Sequence, residues 1–532
     1  MRDALRRTGW LLFAFWLLLV LASVPTRSFI PIDETRYVTV AWNMWQSGQF
    51  LVPFLNGEPY HHKPPLLFWL INFGWWIGGV SDTWPRVLPA LFSLASALLT
   101  LRLGRLLWPD RRDAAELAPL ILMTTLLWAV FTTATMFDIM LSSFALLGLC
   151  GMLEAGRATE SRAARRGFIL LALGIGGGLL AKGPVILLHL LPLAVAAPLW
   201  APAWSGRWRE WYKHLLLAFL AGAAMVLAWA IPAAITGGET FARAIFWGQT
   251  AHRMVNAFAH KRAFYWYLPL LPLMLFPWFW LPPVWRGLAR LVKRGDTGMR
   301  FLGVWLLPVF VFFSLISGKQ MHYLLPLFPG VALLFARALV EDPGKRRGAG
   351  LLPALPLLAL AAALLAGMKL PEPLHSTLTA PALFSAFFFI ALAFAVLELR
   401  RRTTALSTTV HLAAGAALLV GFFSVALLPA AMKSLDVRPI ARHLAKLEAE
   451  GVKLAFFEED YPGIFDFVGR LRQPIAVFKE RQDAIRWCAE HPDGRLIDIM
   501  RPKNVPADAE FVQDHFDKKL VVMRPELAPH CR

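Results

Sequence analysis

The sequence predicts a polytopic α-helical membrane protein carrying a small α/β domain at its C-terminal end. Three observations carry that prediction. Of 532 residues, 57% are hydrophobic and 17% charged, and the mean hydropathy is +0.53; soluble domains run to roughly 45–50% apolar and about 25% charged. Apolar runs of about eighteen residues or more recur along most of the length, each enough to cross the hydrocarbon of a bilayer. From Lys433 onward the composition shifts to a balanced 17 basic and 17 acidic residues.

The formal net charge is +19, and its placement excludes nucleic acid as the explanation. Bases cluster in alternate loops, from Arg2, Arg6 and Arg7 through Arg102–Arg112, Arg157–Arg166, Arg207–Lys213, Arg286–Arg300 and Arg337–Arg347 to Arg400–Arg402. Basic loops on one side are the positive-inside signature, so the N-terminus is expected in the cytoplasm. The first apolar segment, Trp10–Ser28, lacks a following Ala-x-Ala cleavage site and reads as a retained helix. The expected spans are 9–29, 86–108, 114–135, 138–155, 167–181, 184–202, 215–236, 265–284, 301–317, 322–339, 350–367, 381–399 and 406–430. An odd number of spans carries the C-terminus to the opposite, extracytoplasmic side. The domains expected are therefore 1–432, a transmembrane domain, and 433–532, an extracytoplasmic α/β domain.

Loop 30–85 is long and aromatic. Tyr37, Trp42, Met44 and Trp45, ending at Gly48, have the spacing of a helix lying in the membrane interface, and Leu66–Ile77 with Trp69, Trp75 and Trp76 does the same. In the tail, Val437–Ala449, Gln482–Glu490 and Ala507–Phe511 read as helical. Val452–Phe457, Pro474–Phe478, Leu496–Met500 and Leu520–Met523 read as strands. That alternation favours a partly parallel sheet. Cys488 and Cys531 can pair only if the tail faces an oxidising compartment. No Gly-rich nucleotide fingerprint or metal-ligand spacing occurs there, so the tail is assigned no chemistry.

The chemistry-bearing residues lie where apolar spans meet water. Asp33, Glu34 and Arg36 pack two acids and a base into four residues beside the first interfacial helix. Tyr60-His61-His62-Lys63-Pro64-Pro65 places Lys63 on a stiff, extended turn, because proline fixes its own φ and restrains the residue before it. There Lys63 suits a defined anion, and His62 is a candidate ligand for a divalent metal. Asp138 and Lys182 sit at the ends of apolar spans, where a buried acid costs about 2.5–3.5 kcal/mol on insertion scales if placed at the span centre. Arg253 in loop 237–264, and Lys319 and Tyr323 in Ser317-Gly-Lys-Gln-Met-His-Tyr, add cations and a hydroxyl on the same side. Charge-assisted hydrogen bonds from such groups to a phosphate are each worth about 1.5–3 kcal/mol.

From Pro31 to about residue 340 the ordered set Asp33-Glu-Thr-Arg-Tyr37, Lys63-Pro, Asp138, Lys182-Gly, Arg253 and Gly318-Lys-x-x-x-Tyr323 resembles the polyprenyl-phosphate-dependent glycosyltransferases of superfamily C. The resemblance is strongest to the bacterial branch holding the lipid A aminoarabinose transferases, which are relatives of the protein O-mannosyltransferases. It implies inverting transfer of a sugar from a polyprenyl-phosphate donor to lipid A or another envelope acceptor, at the periplasmic face of the inner membrane. On that resemblance Asp33 is the acid–base or acceptor-orienting carboxylate, with Asp138, Arg36 and Glu34 as its catalytic neighbours. Lys63, Arg253, Tyr323, Tyr60, Tyr37, Lys182 and Lys319 bind the carrier phosphate. In the aminoarabinose branch a metal-binding glutamate typically precedes the Lys-Pro lysine, and a histidine sometimes stands five before the arginine. Here those positions are His62 and Gly248, a departure that bears on both metal and donor. A protein or other glycan acceptor is the sibling alternative. A lipid-linked sugar transporter is the rival, and it should place its charges near the bilayer midplane.

Overall fold

The computed structural model describes residues 2–158, 160–248, 261–342, 351–367, 374–398, 404–427, 434–457, 461–478 and 480–531. The chain is a multi-pass helical membrane protein. Among the described residues seven helices are long and apolar enough to cross a bilayer: Trp84–Leu107, Asp138–Arg157, Ser161–Lys182, Trp208–Phe246, Thr297–Leu315, Met321–Glu341 and Ala405–Ala426. Gly9–Ser23, Val185–Val195, Leu351–Leu365 and Phe384–Leu397 are shorter apolar helices at further expected spans.

Two expected spans are interrupted, each for a local reason. Residues 114–135 divide into Arg112–Met123 and Leu126–Phe131. At the break, the Thr124 and Thr125 hydroxyls donate to the carbonyls of Leu120 and Ile121 at 2.5 and 2.7 Å, and such back-bonding competes with the helical ladder. Residues 265–284 contain Pro269, Pro272, Pro277, Pro282 and Pro283 and form short turns at Leu268–Leu270, Leu271–Met274 and Trp278–Trp280. Proline removes the amide that a continuous helix needs.

Contacts divide the chain into two units. The first comprises Met1–Pro25, Arg86–Ala234 and Ala242–Leu427; the second comprises Thr26–Pro85, Ile235–Phe241 and Leu428–Arg532. In the first, α7 (Asp138–Arg157) and α8 (Ser161–Lys182) form a close antiparallel hairpin. A Cβ added at Gly151 would lie 2.5 Å from the Gly167 carbonyl, and one at Gly174 would lie 2.7 Å from the Gly148 nitrogen. Small residues permit this backbone approach, the usual glue between helices in lipid. The hairpin brings the first residue of α7 and the last of α8 to one end.

The second unit combines the long loop with the tail. Its helices α2 (Asp33–Ser47) and α3 (Leu66–Gly78) lie where interfacial helices are expected. Gly48 caps α2 with φ +68°, a left-handed conformation that glycine adopts without a Cβ penalty. Between them β1 (Phe54–Leu55) and β2 (Glu58–Pro59) pair across Asn56-Gly57, both at positive φ as a tight hairpin requires. The tail is a five-stranded mixed sheet, order β4-β3-β5-β7-β6, formed by β3 (Leu454–Phe456), β4 (Ala476–Val477), β5 (Arg495–Met500), β6 (Phe511–His515) and β7 (Lys518–Met523). Strands β3, β4 and β5 are parallel, and β5, β7 and β6 antiparallel. Helices Arg438–Ala449 and Arg481–Glu490 form near their expected places. The helix expected at Ala507–Phe511 does not: the chain turns there and enters β6, whose Phe511 and Val512 pair with Val522 and Val521. Cys488 and Cys531 are bonded, with Cα atoms 5.8 Å apart.

Candidate active site

In the first unit, Asp138 opens α7 and Lys182 closes α8. An acid in a first turn and a base in a last turn both complement the helix dipole, so each end holds its charge before they meet. The Lys182 ammonium donates directly to Asp138 Oδ1, and the side chains are 13% and 2% exposed. The same ammonium lies 5.1 Å from the centre of the Tyr323 ring. His322 Nε2 is 4.0 Å from Asp138 Oδ2, and its ring stands perpendicular to that of Tyr323 at 4.9 Å. One acid, one ammonium, one imidazole and one phenol therefore share this end of the hairpin. The ammonium is held between a carboxylate and a π face, both of which attract a cation.

Lys319, expected beside Tyr323, is directed elsewhere. It is 2% exposed and donates to the backbone carbonyls of Ile316 and, at 3.1 Å, Arg262. Arg262 in turn donates its amide to the Ser317 carbonyl at 3.1 Å, so Lys319 ties two loop segments together. Tyr267, which the sequence had not singled out, donates its hydroxyl to the Gln320 carbonyl at 3.0 Å in the same junction.

In the second unit, Asp33 and Glu34 begin α2 and take opposite fates. Glu34 is 2% exposed. It accepts both terminal nitrogens of Arg27, at 2.5 and 3.0 Å, and the Ile30 amide at 2.9 Å. This buried bidentate pair folds residues 27–34 back onto the helix start and occupies Glu34 structurally. Arg27, rather than Arg36, is its partner. Asp33 is half-exposed, with the Tyr37 hydroxyl one turn on at 3.4 Å from its Oδ1; Arg36 is also half-exposed. Asp33 is thus the acid of the pair that reaches solvent. Tyr60 is buried, packed 6.1 Å from Phe68 and 5.2 Å from His62, and Lys63 is half-exposed just before Pro64-Pro65 and α3.

His61 and His62 have ring centres 4.6 Å apart at 89°. Among the described residues no three metal-ligating side chains converge. Arg253 lies outside the described residues.

A family model for dolichyl-phosphate-mannose-protein mannosyltransferases matches residues 7–238. An undecaprenyl phosphate-α-4-amino-4-deoxy-L-arabinose arabinosyl transferase of Pseudomonas aeruginosa (strain UCBPP-PA14) is 34% identical over 385 residues, covering 70% of this chain and 67% of that protein. One of the same name from Edwardsiella ictaluri is 31% identical over 336 residues, covering 62% and 59%. The crystal structure of ArnT from Cupriavidus metallidurans bound to undecaprenyl phosphate has the same fold, with a TM-score of 0.75 at 22% identity over 97% of this chain and 98% of that one.

Proposed function

We propose, from the premise that the chain belongs to the family of undecaprenyl phosphate-4-amino-4-deoxy-L-arabinose arabinosyl transferases, that it moves a sugar from an undecaprenyl-phosphate carrier to an envelope acceptor. The acceptor is lipid A, the sugar is of the 4-amino-4-deoxy-L-arabinose type, and the reaction takes place at the periplasmic face of the inner membrane. The observation that carries this is the ammonium of Lys182 held between Asp138 and the ring of Tyr323 at the end of a membrane hairpin. Charges gathered at helix ends suit a lipid headgroup; a transport pathway would place them near the bilayer midplane. The Cys488–Cys531 bond supports an extracytoplasmic tail, because disulfides persist in oxidising compartments.

In the reaction an acceptor oxygen attacks the anomeric carbon while the bond from that carbon to the carrier phosphate breaks. Asp33 orients the acceptor oxygen or takes its proton. Lys63, Tyr60 and Tyr37, with Arg253 and Tyr323 as the further candidates the family resemblance gives, are the residues assigned to the leaving phosphate, whose growing negative charge is where fixed cations and hydroxyls lower the barrier most. Lys182 and Asp138 act as one unit: the carboxylate fixes the ammonium, and the ammonium faces the sugar-phosphate end. Arg36 assists Asp33. Glu34 holds the turn.

The mannosyltransferase match over residues 7–238 favours one second reading, the same transfer onto a protein hydroxyl. Mass spectrometry of lipid A and of envelope glycoproteins from a strain lacking this chain separates the two. Loss of a pentosamine from lipid A is the outcome proposed; unchanged lipid A with altered glycoproteins selects the second reading.

A further inference from the structure

The acid expected to face the acceptor stands in the first turn of α2, and α2 is gripped by the tail. Thr39 donates its hydroxyl to the Gly463 carbonyl at 2.9 Å and accepts the Phe467 amide at 3.4 Å. Trp42 and Gln46 both donate to the Leu471 carbonyl, at 2.8 and 3.2 Å. Positions 39, 42 and 46 form one stripe of the helix, and Asp33 lies roughly 120° around from Thr39. The grip therefore holds α2 without covering its acid.

Phe467, 1% exposed, is the centre of this junction. Its ring stacks on Trp75 of α3 at 5.1 Å and meets Trp42 edge-on at 6.1 Å and Phe29 at 5.7 Å. Phe29 lies four residues before Asp33 and Trp42 nine after, so a single tail side chain touches the chain on both sides of the acid. Arg470 completes it: the guanidinium covers the Phe467 ring at 3.8 Å and pairs with Asp82. Its backbone is at φ +56°, a conformation that is costly for any residue with a Cβ. Gly463, at φ +69°, approaches so closely that a Cβ would lie 2.6 Å from Leu55. Asn56 adds a two-way amide pair with the backbone of Ile475, both bonds 2.8 Å.

We propose that the C-terminal domain is a positioning clamp for the acidic helix, in which Phe467 and Arg470, engaging Thr39 and Trp42, hold Asp33 where transfer requires it. Its catalytic part rests on the transferase reading above. Thr39, Trp42, Phe467 and Arg470 are positioning residues that act through α2. Displacing a reacting group by about 1 Å can cost on the order of a hundredfold in rate; of the residues assigned to the carrier phosphate Tyr37 alone shares α2, so loosening the grip lowers kcat far more than it weakens donor binding.

The test uses the full chain with Thr39→Val, Phe467→Ala and, as the conservative rescue, Thr39→Ser. Hydrogen exchange of the 33–47 amides is read beside kcat and KM for a lipid-linked sugar. The expected result is faster exchange in α2 and kcat at least about tenfold lower with KM within about threefold for Thr39→Val and Phe467→Ala, and near wild-type values for Thr39→Ser. Unchanged exchange in the isosteric Thr39→Val overturns the clamp, as does a rise in KM at unchanged kcat. A wild type that transfers nothing defeats the transferase reading instead, whichever way exchange moves.

Discussion

Replacing Lys182 by methionine keeps most of the side chain's length and removes the cation beside Asp138. The Asp138 side chain is 2% exposed and that of Lys182 13%. Removing one member of a buried pair leaves an uncompensated charge and costs about 3–5 kcal/mol. His322 Nε2, 4.0 Å from Oδ2, leaves the carboxylate a polar neighbour, which places the expected loss at about 3 kcal/mol, the low end of that range. Asp138→Asn costs less, because the orphaned ammonium can extend along its four-carbon stem toward water. The double variant Asp138→Asn/Lys182→Met buries no charge at all and should fall within about 1 kcal/mol of wild type. Stability is read by titrating the purified protein in micelles with a denaturing detergent and following the emission of its 22 tryptophans. A Lys182→Met single variant within about 1 kcal/mol of wild type, or a double variant equal to the sum of the singles, would refute the pairing. Sugar transfer should remain lost in all three.

Arg27→Met should destabilise by a similar 3–5 kcal/mol or so, because Glu34 is left charged and buried, whereas Asp33→Asn, at a half-exposed position, should shift the same unfolding midpoint by less than about 1 kcal/mol. In the tail, burial raises the Asp466 carboxyl from 3.8 to about 6 despite the hydrogen bond from Tyr461. A raised carboxyl means that the unfolded chain loses this proton before the folded one. Stability therefore falls as pH rises from about 4 to 6, by up to about 3 kcal/mol, and is level above that window. Thermal midpoints at pH 4 and pH 8 should show the fall in wild type and a much smaller one in Asp466→Asn. Reducing the Cys488–Cys531 bond, which closes a sequence separation of 43 residues, should loosen the tail by about 4 kcal/mol on the loop-closure estimate, visible as a lower protease-resistance midpoint in reductant.

Much of this molecule was legible because polar residues in lipid are costly and therefore few. Asp138 and Lys182 stand out against apolar neighbours at the ends of their spans. The helix α2 was visible from aromatic spacing and its terminal Gly48. What could not be read was which charge meets which. Arg36 lies two residues from Glu34 in sequence, yet Arg27 is the partner, because the chain before α2 folds back on itself. Lys319 has the sequence context of a phosphate ligand and the surroundings of a loop brace. His322, beside Tyr323, is the sequence signal for the fourth group at this end: an imidazole next to an apolar span and a phenol. The junction of Phe467 with Trp42 joins residues more than 400 positions apart, and no local pattern in one sequence reports such a contact.

Asp33 is proposed to serve sugar transfer at a membrane face. The most direct measurement supplies the purified full chain with a labelled undecaprenyl-phosphate sugar and lipid A in vesicles, and follows the label in wild type and Asp33→Asn. Label should move to lipid A with the wild type and stay on the carrier with Asp33→Asn, while both proteins unfold at nearly the same denaturant concentration. Movement of the intact lipid-linked sugar between leaflets with no transfer product would contradict it.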